Sequence, residues 1–439
     1  MASRTLAVAS SLFALSHAAS IPRAVNNDNL PALKFTSNGT FQIAVFSDMH
    51  FGQLASTTGP AQDAKSVQVI SDVLDYELPD LVVLNGDLIN GDSTFKHNST
   101  HYIDQIVAPI IDRNLTWAST YGNHDHNYYI TGEGILEREQ MWPGARTKSM
   151  VDDDDAGTSN YYLPVYASNC TNTNKCTPEL LLWFFDSRGG RYYEADDQEN
   201  WVDESVVTWF NETNTELVNK YNKVIPALAF VHIPINATMS IQTEVGIDEN
   251  KQPGLNLDPP VAQQGEGWCA NGTRDTDNCH YGGQDKPFTE ALVTVPGIIG
   301  LFFGHDHGNT WCYRWEGSLP GVEVEGNGLN LCYGQHSGYG GYGDWIRGAR
   351  EIIVSQDKLA DKIIDTHIRL ESGDIVGAVT LNSTYNEDSY TATPDTKTYL
   401  SDTGDLSNAE EMSAGVSLTP EFLYAAVGGS LMTMAYLCL

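Results

Sequence analysis

An α/β fold is predicted for this chain of 439 residues by three observations. Short apolar runs recur along it, stretches with helical spacing separate them, and run after run ends in histidine, aspartate or asparagine. Alternation of this kind packs helices against sheets. In open α/β sheets, ligands bind beyond the carboxyl ends of the strands.

The elements follow in order. FQIAVFSD (41–48) reads as a strand buried on both faces. AKSVQVISDVLDYEL (64–78) is helical, with Val67, Ile70, Leu74 and Leu78 on one face and Pro79 just beyond. DLVVLNGD (80–87) is the second strand. HYIDQIVAPIIDRN (101–114) is the second helix, with Pro109 as an expected kink or break. LTWASTYGNHD (115–125) is the third strand and its exit loop. ESVVTWFNETNTELVNKY (204–221) places Val206, Phe210, Leu217 and Tyr221 on one helical face. ALAFVHIP (227–234) and VPGIIGLFFGHDH (295–307) are further strands. GAREIIVSQ (348–356) and THIRLESGDIVGAVTL (366–381) read as strands of a hairpin on a second sheet, hinged at Glu371-Ser372-Gly373-Asp374. Two loops remain. The acidic run VDDDDAG (151–157) reads as a solvated loop, because the spacing of a calcium loop is absent. The long stretch 236–290 reads as a lid or as a stapled surface excursion.

Composition narrows the function. A hydrophobic content of 41% supports a sizeable core, and a net charge of −33 disfavours a nucleic-acid footprint and passive adsorption to anionic lipid. A small phosphorylated substrate stays open, since bound cations reverse a local field. Residues 1–18 read as a secretory signal peptide, with 19–40 as an N-terminal segment. Residues 414–439 read as a GPI-attachment signal that is removed, with 383–413 a polar linker before it and a retained membrane span as the rival reading. Membrane contact is then through a lipid anchor, and the location is extracellular. In that compartment the cysteines outside the tail read as disulfides, with Cys170 and Cys176, Cys269 and Cys279, and Cys312 and Cys332 as sequence-near pairs among several open pairings. N-glycosylation sequons stand at Asn38, Asn98, Asn114, Asn169, Asn211, Asn236, Asn271 and Asn382.

The strand ends carry the chemistry. Asp48 and His50 follow the first strand, Asp87 the second, Asn123 and His124 the third, His232 the fourth, and His305 and His307 the fifth. One such histidine is usually structural, but an ordered set on one sheet edge is hard to explain as packing. No G-x-S-x-G elbow is present, and the glycine-rich loop around His336 lacks P-loop spacing.

In this order, D-x-H, G-D, G-N-H-D, a lone H and G-H-x-H resemble the calcineurin-like metallophosphoesterase family over about residues 41–353. WFFDSRGG, FVHIPI, GHDHGNTWC and LCYGQHSGYGGYG are similar to stretches of the purple-acid-phosphatase-like proteins of plants and fungi that carry D-x-H. The resemblance implies a four-layer αββα sandwich, two mixed β-sheets flanked by helices, over 41–382. It implies two metal ions, of Fe, Zn or Mn type. One would take Asp48, His50, Asp87 and His307. The other would take Asp87, Asn123, His232 and His305. Asp87 would bridge them and a metal-activated hydroxide would attack phosphorus. His124 would protonate the leaving oxygen or stabilise transition-state charge, and Asp125 would either orient that imidazole or cap its loop. Asp306 would point into structure. Asn123, Arg188, Arg191 and His336 are the candidate substrate contacts, with surface or ion-pair roles open for the arginines. True purple acid phosphatases carry a tyrosine three residues after the bridging aspartate. Here Asn90 stands there, so the tyrosinate–iron(III) chromophore is expected to be missing.

A phosphomonoesterase is the expected activity, with a phosphodiesterase on the same site and a non-catalytic surface glycoprotein as alternatives. Substrate, metal pair and oligomeric state stay open.

Overall fold

The computed structural model describes residues 30–260 and 263–400. In chain order its strands and helices are β1 (Leu33–Lys34), β2 (Thr40–Phe46), α1 (Gly59–Tyr76), β3 (Leu81–Asn85), α2 (Ser99–Asp112), β4 (Trp117–Thr120), α3 (Gly132–Gln140), β5 (Tyr161–Tyr166) and β6 (Leu180–Phe185). There follow α4 (Glu204–Tyr221), β7 (Ala227–Val231), the single turn α5 (Ala237–Ser240), α6 (Lys286–Thr294), β8 (Ile298–Phe303), β9 (Cys312–Gly317), β10 (Gly326–Tyr333), β11 (Gly348–Ser355), β12 (Ile364–Leu370) and β13 (Ile375–Leu381). The signal segment, the anchor signal and residues 401–413 of the expected linker lie outside the described residues.

The strands form two mixed sheets, ordered β1-β5-β6-β7-β8-β10-β9 and β13-β12-β11-β2-β3-β4. Alternate residues of each strand separate three apolar layers. Leu182, Phe184, Leu228, Phe230 and Phe302 of the seven-stranded sheet meet Phe41, Ile43, Val45, Leu81 and Val83 of the six-stranded sheet. Trp183, Phe185, Ala229 and Val231 face the other way, onto Val206 and Phe210 of α4 and Phe288 of α6. Ala44, Phe46, Val82 and Leu84 face Val69 and Val73 of α1 and Ile103 and Ile106 of α2. The result is the αββα four-layer sandwich. Strands buried on both faces explain why their sequences read as continuous apolar runs.

Local chemistry fixes the helix ends. Asp203 accepts a hydrogen bond from Ser205 N at the start of α4, and Asn222 ends it in the left-handed conformation, φ 48°. Pro60 opens α1 before its apolar periodicity begins. Pro109 was expected to kink or break α2. The helix does not break there but runs on to Asp112, because the proline falls in the last turn and Ile106, Val107 and Ile110 around it are buried.

Two boundaries shift. Leu33 and Lys34 pair in parallel with Val165 and Tyr166, so the domain starts before residue 41. The stretch 383–400, expected as linker, packs on the domain: Tyr385 is fully buried with its hydroxyl on Cys312 O, and Trp345 and Lys397 form a β-bridge. The sequence-near disulfides are formed, Cys170–Cys176, Cys269–Cys279 and Cys312–Cys332, the last joining directly opposed residues of β9 and β10. Asn38, Asn114, Asn169, Asn211 and Asn271 are exposed, and Asn98 and Asn382 are half-buried. Asn236 differs, because its Nδ2 is enclosed and offers no room for a glycan.

A buried acid between strands sets a pH dependence. Glu351 on β11 is fully buried and its Oε2 accepts from Gln42 Nε2 at 3.0 Å. Burial pushes its carboxyl up to about 8; Gln42 and Arg369 oppose the rise and Glu77 adds to it. The ordinary glutamate value is about 4.3. As pH rises, the unfolded chain loses this proton first, so the group's contribution to stability falls between roughly 4 and 8. Glu351→Gln should therefore unfold at a higher temperature than the parent at pH 8, with the gap closing toward pH 4. Thermal unfolding across that range checks it.

Candidate metal centre

Parallel strands from both sheets end at one place. β2, β3 and β4 lie side by side in one sheet, and β7 and β8 in the other. Asn85, the last residue of β3, ties the two edges together: its Nδ2 reaches Val231 O and Phe302 O, each at 3.4 Å. The turns after these strands therefore face one another, and they carry Asp48, His50, Asp87, Asn123, His124, His232, His305 and His307.

The backbone is strained where it delivers these groups. Asp48, His50, Asp87 and His305 have φ of 58°, 50°, 51° and 76°, a region non-glycine residues seldom occupy. Close approach also requires glycine at Gly86 and Gly122. A Cβ on Gly86 would lie 2.4 Å from the His232 ring, and one on Gly122 would lie 2.4 Å from Asp87 Oδ1.

Ligand atoms gather in overlapping groups: Asp48, His50 and His307; Asp87, His232 and His305; and His50, Asp87 and His124. Each group lies within 4.8 Å. Asp87 Oδ2 is 3.1 Å from His232 Nε2 and 3.6 Å from His50 Nε2, so this carboxylate stands between the clusters. Asn123 Oδ1 is enclosed and without a hydrogen-bond partner.

Imidazole orientation tests whether these residues suit a cation. His232 Nδ1 donates to Asn85 O at 2.9 Å, and His307 Nδ1 donates to Tyr342 O at 2.9 Å. His50 Nδ1 meets Asn90 Oδ1 at 2.6 Å. With the Nδ1 protons held by these acceptors, the Nε2 atoms of His50 and His307 present lone pairs inward, whereas His232 Nε2 faces the Asp87 carboxylate at 3.1 Å. His50 Nε2 and His307 Nε2 face each other at 3.1 Å. Two lone pairs at that distance repel unless a cation or an added proton sits beside them. The donor set of imidazole, carboxylate and amide oxygen suits Fe, Zn or Mn.

The charges divide the imidazoles: burial opposes a proton on His232, but Asp87 and Asp48 outweigh it and push His232 up to about 10, so a cation beside Asp87 would take the place of that proton. Burial pushes the His50 imidazole down to about 4, and burial with the neighbouring His50 holds His307 well below its ordinary value. Both are neutral, as ligands must be. Burial raises the Asp87 carboxyl, but His232, His124 and His50 outweigh it and hold it well below the usual range. Burial pushes Asp48 up to about 6, opposed by His232 and supported by Asp87.

The remaining expectations divide. Asp125 does not reach the His124 imidazole. Its Oδ1 accepts from Leu88 N (2.6 Å) and Ile89 N (3.0 Å), and its Oδ2 from Gly122 N (2.8 Å), so it caps the loop and holds the Asp87 and Asn123 turns together. Asp306 points into structure, accepting from Tyr333 Oη at 2.7 Å and Gln263 Nε2 at 3.1 Å. Arg188 is not available to substrate: it is 1% exposed, donates through Nε to Trp201 O, and lies 3.8 Å from Glu199 and 3.6 Å from Asp203. His336 is buried behind His307, with ring centroids 3.9 Å apart, and its Nε2 donates to Gly340 O. Arg191 does line the cavity beside Asn123 and His305. Part of the segment 236–290 walls the same cavity through Glu266, Trp268 and Arg274.

Sequence reasoning missed the supports. Tyr342 stacks on His307 at 4.0 Å and 9°. Asn90, read only as a missing tyrosine, holds His50. Asn90→Ala should weaken metal affinity about 10–100-fold with the fold retained; competition against a chromophoric chelator measures it.

The family model described as calcineurin-like phosphoesterase matches residues 41–309. The chain belongs to the calcineurin-like phosphoesterase family. Proteins of this family use two divalent metal ions, and the clusters described above are able to bind them. Among its relatives, the Arabidopsis thaliana protein named probable inactive purple acid phosphatase 29 is 29% identical over 352 residues, covering 74% of this chain and 79% of that protein. Phosphatase DCR2 of Saccharomyces cerevisiae is 28% identical over 319 residues, covering 69% of this chain and 49% of that protein. A dimetal phosphatase structure from Danio rerio aligns with 12% identity and a TM-score of 0.47, covering 78% of this chain and 98% of that one.

Proposed function

We propose that this phosphoesterase is a secreted, lipid-anchored phosphomonoesterase with two metal ions. The observation that carries the reading is the pair of imidazole nitrogens, His50 Nε2 and His307 Nε2, facing each other at 3.1 Å beside a carboxylate that also meets His232. Asp48, His50, Asp87 and His307 would hold one ion, and Asp87, Asn123, His232 and His305 the other. When bound, the ions supply Lewis acidity toward phosphoryl oxygens and toward water.

The chain's own residues do the rest. Asp87 Oδ1 accepts from His124 N at 2.8 Å, and His124 O accepts from Gly91 N at 2.7 Å, so the His124 backbone is fixed against the bridging carboxylate. Its ring stands 5.0 Å from that of His50, and its Nδ1 has no hydrogen-bond partner. An imidazole held there by its backbone is placed to give a proton to the leaving oxygen. The cavity that opens against Asn123 and His305 is about 550 Å³, which fits a small phosphorylated substrate. The word inactive in the Arabidopsis relative's name is said of that protein. Here every ligand position and His124 is present. The three disulfides accord with an oxidising compartment.

The test is turnover of a nitrophenyl phosphate monoester against the matching diester by the glycosylated ectodomain. Faster monoester hydrolysis is expected. A diester preference would replace the reading with a phosphodiesterase, and no hydrolysis of either by metal-loaded protein would remove the catalytic reading.

A further inference from the structure

The cavity that opens against Asn123 and His305 carries two guanidiniums, Arg191 and Arg274. In a phosphatase, two arginines near the reacting phosphate would ordinarily mark a site for a second anion. Here a carboxylate already stands between them. Asp197 Oδ1 lies 3.4 Å from Arg191 Nε, and Asp197 Oδ2 pairs with Arg274 Nη1.

Backbone pairing sets the positions from which all three side chains extend. Arg191 and Asp197 oppose each other in an antiparallel bridge, and Gln198 N donates to Gly190 O at 2.9 Å. Arg274 lies in the loop closed by Cys269–Cys279 and opposes Trp268, just before that loop, in another bridge; Asp275 N donates to Gly267 O at 3.0 Å. The clamp is thus closed by a residue that the fold itself holds in place. Asp92 and Glu266 line the same cavity, so its carboxyls outnumber its guanidiniums away from the metal ligands. A second phosphate would meet arginines already neutralised and carboxylates of like charge.

Away from the ion pairs the cavity is lined by uncharged polar side chains, Asn127, Gln198, Asn200 and Thr276, whose amides and hydroxyl both donate and accept. Hydroxyl groups of a substrate match such side chains without adding charge, and Trp268 offers an apolar face beside them.

We propose that Asp197 is a specificity-determining residue: it closes the Arg191–Arg274 clamp, so that the leaving-group side of the site takes an uncharged, hydroxyl-rich alcohol and rejects one bearing a second phosphate. This rests on the phosphomonoesterase reading above.

The experiment compares kcat/KM for mannitol monophosphate and mannitol bisphosphate in the parent, Asp197→Asn and Asp197→Asn/Arg274→Gln, with nitrophenyl phosphate alongside. Reading the ratio of the two polyol substrates cancels any uniform loss from folding. The parent should prefer the monophosphate. Asp197→Asn should shift the ratio about tenfold or more toward the bisphosphate, and the double variant should reduce that shift, with Arg191 still uncovered. A parent that prefers the bisphosphate, an unchanged ratio in Asp197→Asn, or a shift undiminished by Arg274→Gln overturns the clamp. Hydrolysis of nitrophenyl phosphate but of neither polyol ester overturns the subsite alone. Hydrolysis of none overturns both the subsite and the phosphomonoesterase reading.

Discussion

Asp87→Asn will give a folded protein that has lost bound metal and hydrolyses phosphate esters about 10³-fold more slowly or worse. Asp87 Oδ2 faces His232 at 3.1 Å and His50 at 3.6 Å, so one carboxylate serves both ligand clusters. Its Oδ1 is fixed by His124 N at 2.8 Å. An asparagine retains one acceptor oxygen. Kept toward His124 N, it turns an NH₂ group toward the imidazoles, and the negative charge is gone. The backbone is unaffected in kind, because Asp87 sits at φ 51° and asparagine tolerates that region well. Metal content and nitrophenyl phosphate turnover, with thermal unfolding as the fold control, read the three parts of this expectation separately.

His124→Gln should lower kcat about 10²–10⁴-fold on alkyl phosphates while leaving metal content unchanged. The imidazole is placed by its backbone, whose N–H is held by Asp87 and whose carbonyl is held by Gly91. Asp125 does not steer it, because its carboxylate is spent on Leu88, Ile89 and Gly122 amides. The loss should be much smaller on a nitrophenyl ester, whose leaving group needs no proton. His124 also stands within the group formed with His50 and Asp87. If the substitution released metal and slowed both esters equally, His124 would be a ligand and not an acid.

The ligand positions were legible because each follows a strand whose apolar run is unmistakable, and parallel strands send their exits to one edge. Their convergence was not legible. It depends on Asn85, whose side chain bridges to Val231 and Phe302 and whose carbonyl orients His232. Nor were the residues that tune the ligands, since Asn90 and Tyr342 are recognised only by what they touch. For Arg188 the sequence leaves a phosphate contact and an ion-pair role open, and only the fold decides for the ion pairs. Trp201, Glu199 and Asp203, which enclose it, lie more than ten residues away. The stretch 383–400 misled because its anchors, Tyr385 and Tyr390, are isolated in polar sequence, and two aromatic residues carry no periodicity.

The central claim is that five strand exits build one site for two ions, and counting bound metal tests it most directly. The folded ectodomain would be purified, dialysed against metal-free buffer and measured by elemental mass spectrometry, beside Asp87→Asn. Two ions per parent chain, lost in the variant, is the expected result. A parent chain that holds none, or that holds as many as the variant, would contradict the account.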